Sequence, residues 1–114
     1  MKEEELAKLE SKIYIFSVDV FSFIKTLMDN NITNKNTQGL FNDSSLMYST
    51  FIDLLDDRGL ENKSSILSKC IELAISSAGF LTNIEVKGSH LNERVDLLIE
   101  VKEILRFLEK LKSE

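Results

Sequence analysis

Hydrophobic positions recur at helical intervals along most of the chain. Leu6, Leu9, Ile13, Phe16, Val20, Phe23 and Leu27 alternate steps of three and four, which predicts a first helix over about 4–30. Residues 13–23 are rich in β-branched and aromatic side chains, a strand-like composition, but the seam continues on both sides and decides for helix. Leu46, Met47, Phe51, Leu54 and Leu55 predict a second helix over about 43–57, with Asn42 or Asp43 as its N-cap and Gly59 as a left-handed C-terminal residue. The NNITNKNTQG run before it reads as a polar loop. From 64 to 84 two apolar stripes lie side by side. One is Ile66, Cys70, Leu73, Phe80 and Ile84; the other is Leu67, Ile71, Ala74, Ala78 and Leu81. A helix apolar over more than half its circumference must be covered on several sides, so the third helix, about 63–84, is expected at the centre of a bundle. Asn62 or Ser64 can cap it. Residues 86–89 form a turn, and Ser89 can cap a fourth helix over about 90–112. There Leu97, Leu98, Val101, Ile104, Leu105, Leu108 and Leu111 share one arc. The last two connections are short, so those neighbours pack antiparallel. The expectation is an all-α, antiparallel up-down-up-down four-helix bundle, with residues 1–114 as one domain.

Composition agrees with this. The chain has 114 residues, 43% hydrophobic and 29% charged, which argues against disorder, and no proline interrupts the helices. The net charge of -5 opposes non-specific attraction to nucleic acid or anionic membrane. Cys70 stands alone and forms no internal disulfide, the N-terminus lacks a signal-like apolar segment, and no apolar run approaches the ~18–20 residues of a membrane span. A cytoplasmic protein without a membrane partner is expected.

The pattern supplies more apolar surface than one bundle needs. Tyr14, Phe21 and Met28 recur every seven residues at the margin of the first seam. Val95 and Ile99 fall outside the arc of the fourth helix, on a side shared with Lys102, Arg106 and Lys110. Asp96, Glu100 and Glu103 occupy the next sector, so the polar half is sorted by sign. Two readings stand open: scattered surface hydrophobes beside a wide core face, or a second buried face for self-association or a protein partner.

Catalytic chemistry is not legible. His90 is the only histidine, and His90 followed by Glu93 reverses the Glu-x-x-His order of a bundle di-iron site and occurs once. Cys70 lies on an apolar face, as an inert buried thiol does. Arg58 is too far before His90, and Arg94 follows it, so the Arg-x4-6-His pattern of small helical ribonucleases is absent. Ser76, Ser77, Ala78 and Gly79 lack a histidine partner and read as small residues that let helices approach. No metal, cofactor, small-molecule substrate or enzymatic activity is expected.

The order of helices, with Ile66, Leu67, Ser68, Lys69, Cys70, Leu73, Phe80, Leu81 and Ile84 in the third, resembles the bacterial four-helix-bundle family of proteins encoded in 23S rRNA intervening sequences. That family includes the accessory variability determinant of diversity-generating retroelements. Ser45-Leu46 is similar to the family's Ser-Ile step, and KIYIFSVDVFSFIKTL to its aromatic-rich opening helix. The resemblance runs from about residue 12 to 112. This chain departs from the pattern at Ser76 and Gly79, where glutamates are usual. It also has Asn42 or Asp43 in place of an arginine, and Met47, Tyr48 and Ser49 in place of a small Gly-x-Asn run. The resemblance implies a non-enzymatic, ring-forming homo-oligomer, commonly a pentamer. Its retroelement branch implies a reverse transcriptase and RNA or DNA as partners, met through basic residues. Lys102, Arg106 and Lys110 are the candidate strip for that contact, but pairing with a neighbouring subunit's acidic strip is the favoured role at this net charge. Tyr14, Phe21, Met28, Val95 and Ile99 are the candidate oligomer interface.

Overall fold

In a computed structural model, which describes residues 3–32, 34–56 and 62–114, the seams close into four helices. They are α1 (Glu3–Asp29), α2 (Asn36–Asp56), α3 (Lys63–Asn83) and α4 (Ser89–Ser113). α1 packs on α2 and α4, and α3 packs on the same two, so the helices stand at four corners of an antiparallel up-down bundle. Leu9, Ile13, Phe16, Val20, Phe23 and Leu27 from α1 meet Leu97, Val101, Ile104, Leu108 and Leu111 from α4 in the shared core. Each such large apolar side chain, once buried, contributes about 1.5–3 kcal/mol before the entropy of ordering is set against it.

α3 is a corner and not the centre. It carries no more neighbours than the other helices, and Ile75, between its two packed sides, is exposed. Its breadth of apolar surface has another consequence. α3 is long and apolar enough to cross a membrane by length and composition, which overturns the expectation that no segment is. That expectation counted uninterrupted hydrophobes, whereas serine and glycine between them lower hydropathy little. Here Leu67, Cys70, Leu73, Ala74, Ser77 and Leu81 are buried within the bundle, as in a core helix.

The ends of the helices differ most from expectation. α2 begins at Asn36, not near Asn42 or Asp43. The side chain of Asn34 accepts the Asn36 N–H at 2.8 Å, and its carbonyl accepts the Thr37 hydroxyl at 2.8 Å. Together they organise a first turn inside what reads as a loop. Before it, α1 ends with Asn31 at φ 58. Ile32 donates its N–H to the Leu27 carbonyl at 2.8 Å and Asn31 donates to Met28 at 3.0 Å, the paired bonds of a Schellman motif with asparagine in the left-handed position. Asp57, where the second helix is expected to end, and Gly59 lie outside the described residues. Neither Asn62 nor Ser64 caps α3 with its side chain, and Ser89 is the first residue of α4 rather than its cap. Gly88 precedes it at φ 63 and ψ -134, a conformation that side chains with a Cβ resist.

Close approach marks the α2–α3 seam. Gly39 lies against the ring of Phe80, which a Cβ at that position would strike. Ser76 donates to Asp43 across the same seam, and buried Ser77 has no partner for its hydroxyl among the described residues. Gly79, expected to serve close approach, instead faces open space. At the same C-terminal end of α3, Arg94 of α4 reaches the carbonyls of Leu81, Thr82 and Ile84 at 3.5, 3.1 and 3.4 Å. A cation there satisfies orphan acceptors and complements the C-terminal dipole of α3.

Candidate functional site

The residues singled out from the pattern fall on two separate surfaces. Tyr14, Phe21 and Met28 lie along the flank of α1 that faces α2, at 52%, 55% and 68% exposure. α2 answers them with aromatics of its own. Tyr14 and Tyr48 stand with ring centroids 5.4 Å apart and tilted at 59°; Phe21 and Phe41 stand 6.3 Å apart at 52°. Both geometries suit the quadrupoles of the rings. Phe21, Ile24, Met28 and Phe41 line an open groove of about 510 Å³ that Lys25, Asp29, Thr37 and Gln38 also border.

Phe41 and Tyr48 were not foreseen as part of this surface. A second helix expected only from about residue 43 excludes Phe41, although Phe41 and Tyr48 repeat the seven-residue spacing of Tyr14 and Phe21. Leu46, assigned to the core of the second helix, is exposed at its other side.

Val95 and Ile99 occupy the outer side of α4, at 42% and 60% exposure. Lys102, Arg106 and Lys110 are exposed beside them and make no ion pair among the described residues. Because α2 and α4 sit at opposite corners, these residues do not join the aromatic flank in one continuous patch. The single candidate interface of the sequence is two patches.

The acidic strip divides as well. Glu103 accepts an ion pair from Lys12 of α1 at 2.8 Å, which holds its carboxyl below the usual range. It is thus engaged within the chain. Glu100 and Asp96 turn toward Asp19 of α1 and line a cleft of about 260 Å³ with Glu93 and Ser22. Burial, a hydrogen bond with Asp19 and the charges of Asp19 and Asp96 push the Glu100 carboxyl up to about 7. Further along the same flank, Lys8 and Lys12 place their ammonium groups 5.9 and 5.6 Å from the centre of the Phe107 ring.

Groups able to do chemistry lie apart. The Cys70 thiol is buried and pushed up to about 12 by desolvation and then by the charge of Asp53; its nearest acceptor is the Met47 carbonyl at 3.9 Å. Among the described residues His90 stands 3.5 Å from Glu93, and no group of three or more His, Cys, Asp or Glu is disposed to hold a metal.

The fold and these surfaces define an all-α four-helix bundle with an exposed aromatic flank. No family model matches the chain, and neither a curated protein nor a solved structure gives a significant match.

Proposed function

We propose that the protein is a non-catalytic homo-oligomeric scaffold or accessory protein, whose copies join by laying the outer side of α4 on the aromatic α1–α2 flank of a neighbour. The observation that carries this is the separation of the two patches. Two unlike surfaces on different sides of one subunit make a head-to-tail contact, which generates a ring where the rotation closes. Their chemistry is matched. Val95 and Ile99 offer aliphatic surface to the groove beside Phe21, and Lys102 brings a cation to a lining that holds Asp29 as well as Lys25 and the two rings. The resemblance to the 23S rRNA intervening-sequence family adds the expectation of five subunits.

A second reading, an accessory protein that binds RNA or DNA beside a reverse transcriptase, draws support from Lys102, Arg106 and Lys110, which are exposed on one side of α4 without an ion pair among the described residues. Its mark is salt-sensitive nucleic-acid binding, lost on Lys102→Glu/Arg106→Glu.

Light scattering during size-exclusion chromatography tests the first reading. The wild-type chain should run as a multiple of 13.0 kDa, and Phe21→Asp or Ile99→Asp should each reduce the mass while leaving helical circular dichroism unchanged. A wild-type monomer at all concentrations overturns it, as does an oligomer indifferent to both substitutions.

A further inference from the structure

The flank of α1 that faces α4 is sorted by charge along its length. One half is acidic: Asp19, Glu93, Asp96 and Glu100 line a single cleft whose seven residues include no base. The other half is basic: Lys8, Lys12 and Lys110 surround Phe107, with Arg106 close enough to act on Glu103. Two acids fall within this basic half, Glu5 and Glu103, and the second is already held by Lys12. Between the halves lies Ile15, 50% exposed, in a shallow hollow with Lys12, Glu100, Glu103 and Ile104.

We propose that this α1–α4 flank is a self-complementary docking surface for a second copy of the chain, packed antiparallel about a twofold axis beside Ile15. Two faces brought together by a twofold axis can keep their helices parallel or reverse them. A parallel arrangement sets basic half on basic half and acidic on acidic. The reversed one sets each half on its opposite, and charge selects it.

The register follows from the positions of the charges. With the axis beside Ile15, Lys12 lies opposite Asp19 of the second copy. On α4, Arg106 lies opposite Asp96 and Lys110 opposite Glu93. These pairs are centred near residues 15–16 and 101–102. Asp19 beside Glu100, and Lys12 against Glu103, place those centres at one level of the antiparallel α1–α4 pair. Ile15 then meets Ile15 on the axis. The acidic cleft, whose lining holds no cation, receives Arg106 and Lys110 from the neighbour, while Lys12, held by Glu103 of its own chain, faces Asp19 of the second copy. This contact uses a different flank of α1 from the aromatic one and does not depend on it.

A charge-swap series tests the contact in a Phe21→Asp background, where aromatic association is suppressed. Sedimentation equilibrium at low ionic strength should show dimers that weaken as salt rises. Arg106→Glu/Lys110→Glu and Glu93→Lys/Asp96→Lys should each weaken self-association by about tenfold or more, because every pair occurs twice. An equimolar mixture of the two chains should associate at least as tightly as the parent, and one chain with all four substitutions should recover parental affinity. Ile15→Cys should form an intermolecular disulfide under mild oxidation faster than Val18→Cys, which lies off the axis. A parent chain that stays monomeric, a four-substitution chain that fails to recover, or equal cross-linking at the two cysteines overturns the proposal.

Discussion

Helix α1 faces its two neighbours in opposite ways. Toward α2 it presents rings, and Tyr14 and Phe21 lean on Tyr48 and Phe41 with part of each left open to water. Toward α4 it presents charge, and Lys12 closes on Glu103 while Asp19 confronts Glu100. Both flanks border the same buried stripe, so the difference between them is not a requirement of the fold. Aromatic surface withdrawn from water supplies affinity with little regard to direction, whereas sorted charge supplies orientation and little net energy. A subunit with one flank of each kind can bind through the first and discriminate through the second.

The contrast can be broken first through pH. Glu100 binds its proton more tightly in the folded chain than the ordinary 4.5 of a free carboxyl allows. Its contribution to stability is therefore fully present below about 4.5 and is lost as pH rises through about 7. Thermal melts should show stability falling over that window. Glu100→Gln, which keeps a hydrogen bond to Asp19 without a titrating proton, should flatten the fall, and Tyr14→Phe should not. A smaller effect is expected on the aromatic side. A double-mutant cycle on Tyr14 and Tyr48 should return a coupling of about 0.5–1.5 kcal/mol, insensitive to salt. The smallest belongs to Lys12 and Glu103, both partly solvated, where the same cycle should give a weaker coupling that shrinks as salt is added. A salt-dependent tyrosine coupling, or a salt-independent ion pair, would erase the distinction between the flanks.

The inward face of the bundle was legible in the sequence and the outward faces only in part. Every seam residue expected to be buried in α1 from Leu9 to Leu27 is buried, because a step of three or four is a local property of one helix. The separation of Tyr14 from Val95 is not local. It depends on which corners adjacent helices occupy, and no spacing along the chain encodes that. Glu103 shows the same limit, since its sector on α4 could be read but the lysine of α1 at its level could not. At the start of α2 the obstacle was different. Asn34, Asn36 and Gly39 all carry loop preferences, and they are overridden by one side-chain cap, by Leu40 in the core and by the room Phe80 requires at Gly39.

Cys70 supplies the chain with an internal clock. The thiol is wholly shielded, and burial holds it protonated far above neutral pH, so a thiol reagent finds nothing to attack while α2 and α3 stay together. Each labelling event then records one parting of that seam. The rate of colour development with a chromogenic disulfide then reads the open population of that joint while it rises in proportion to reagent, and the opening rate itself once added reagent no longer speeds it.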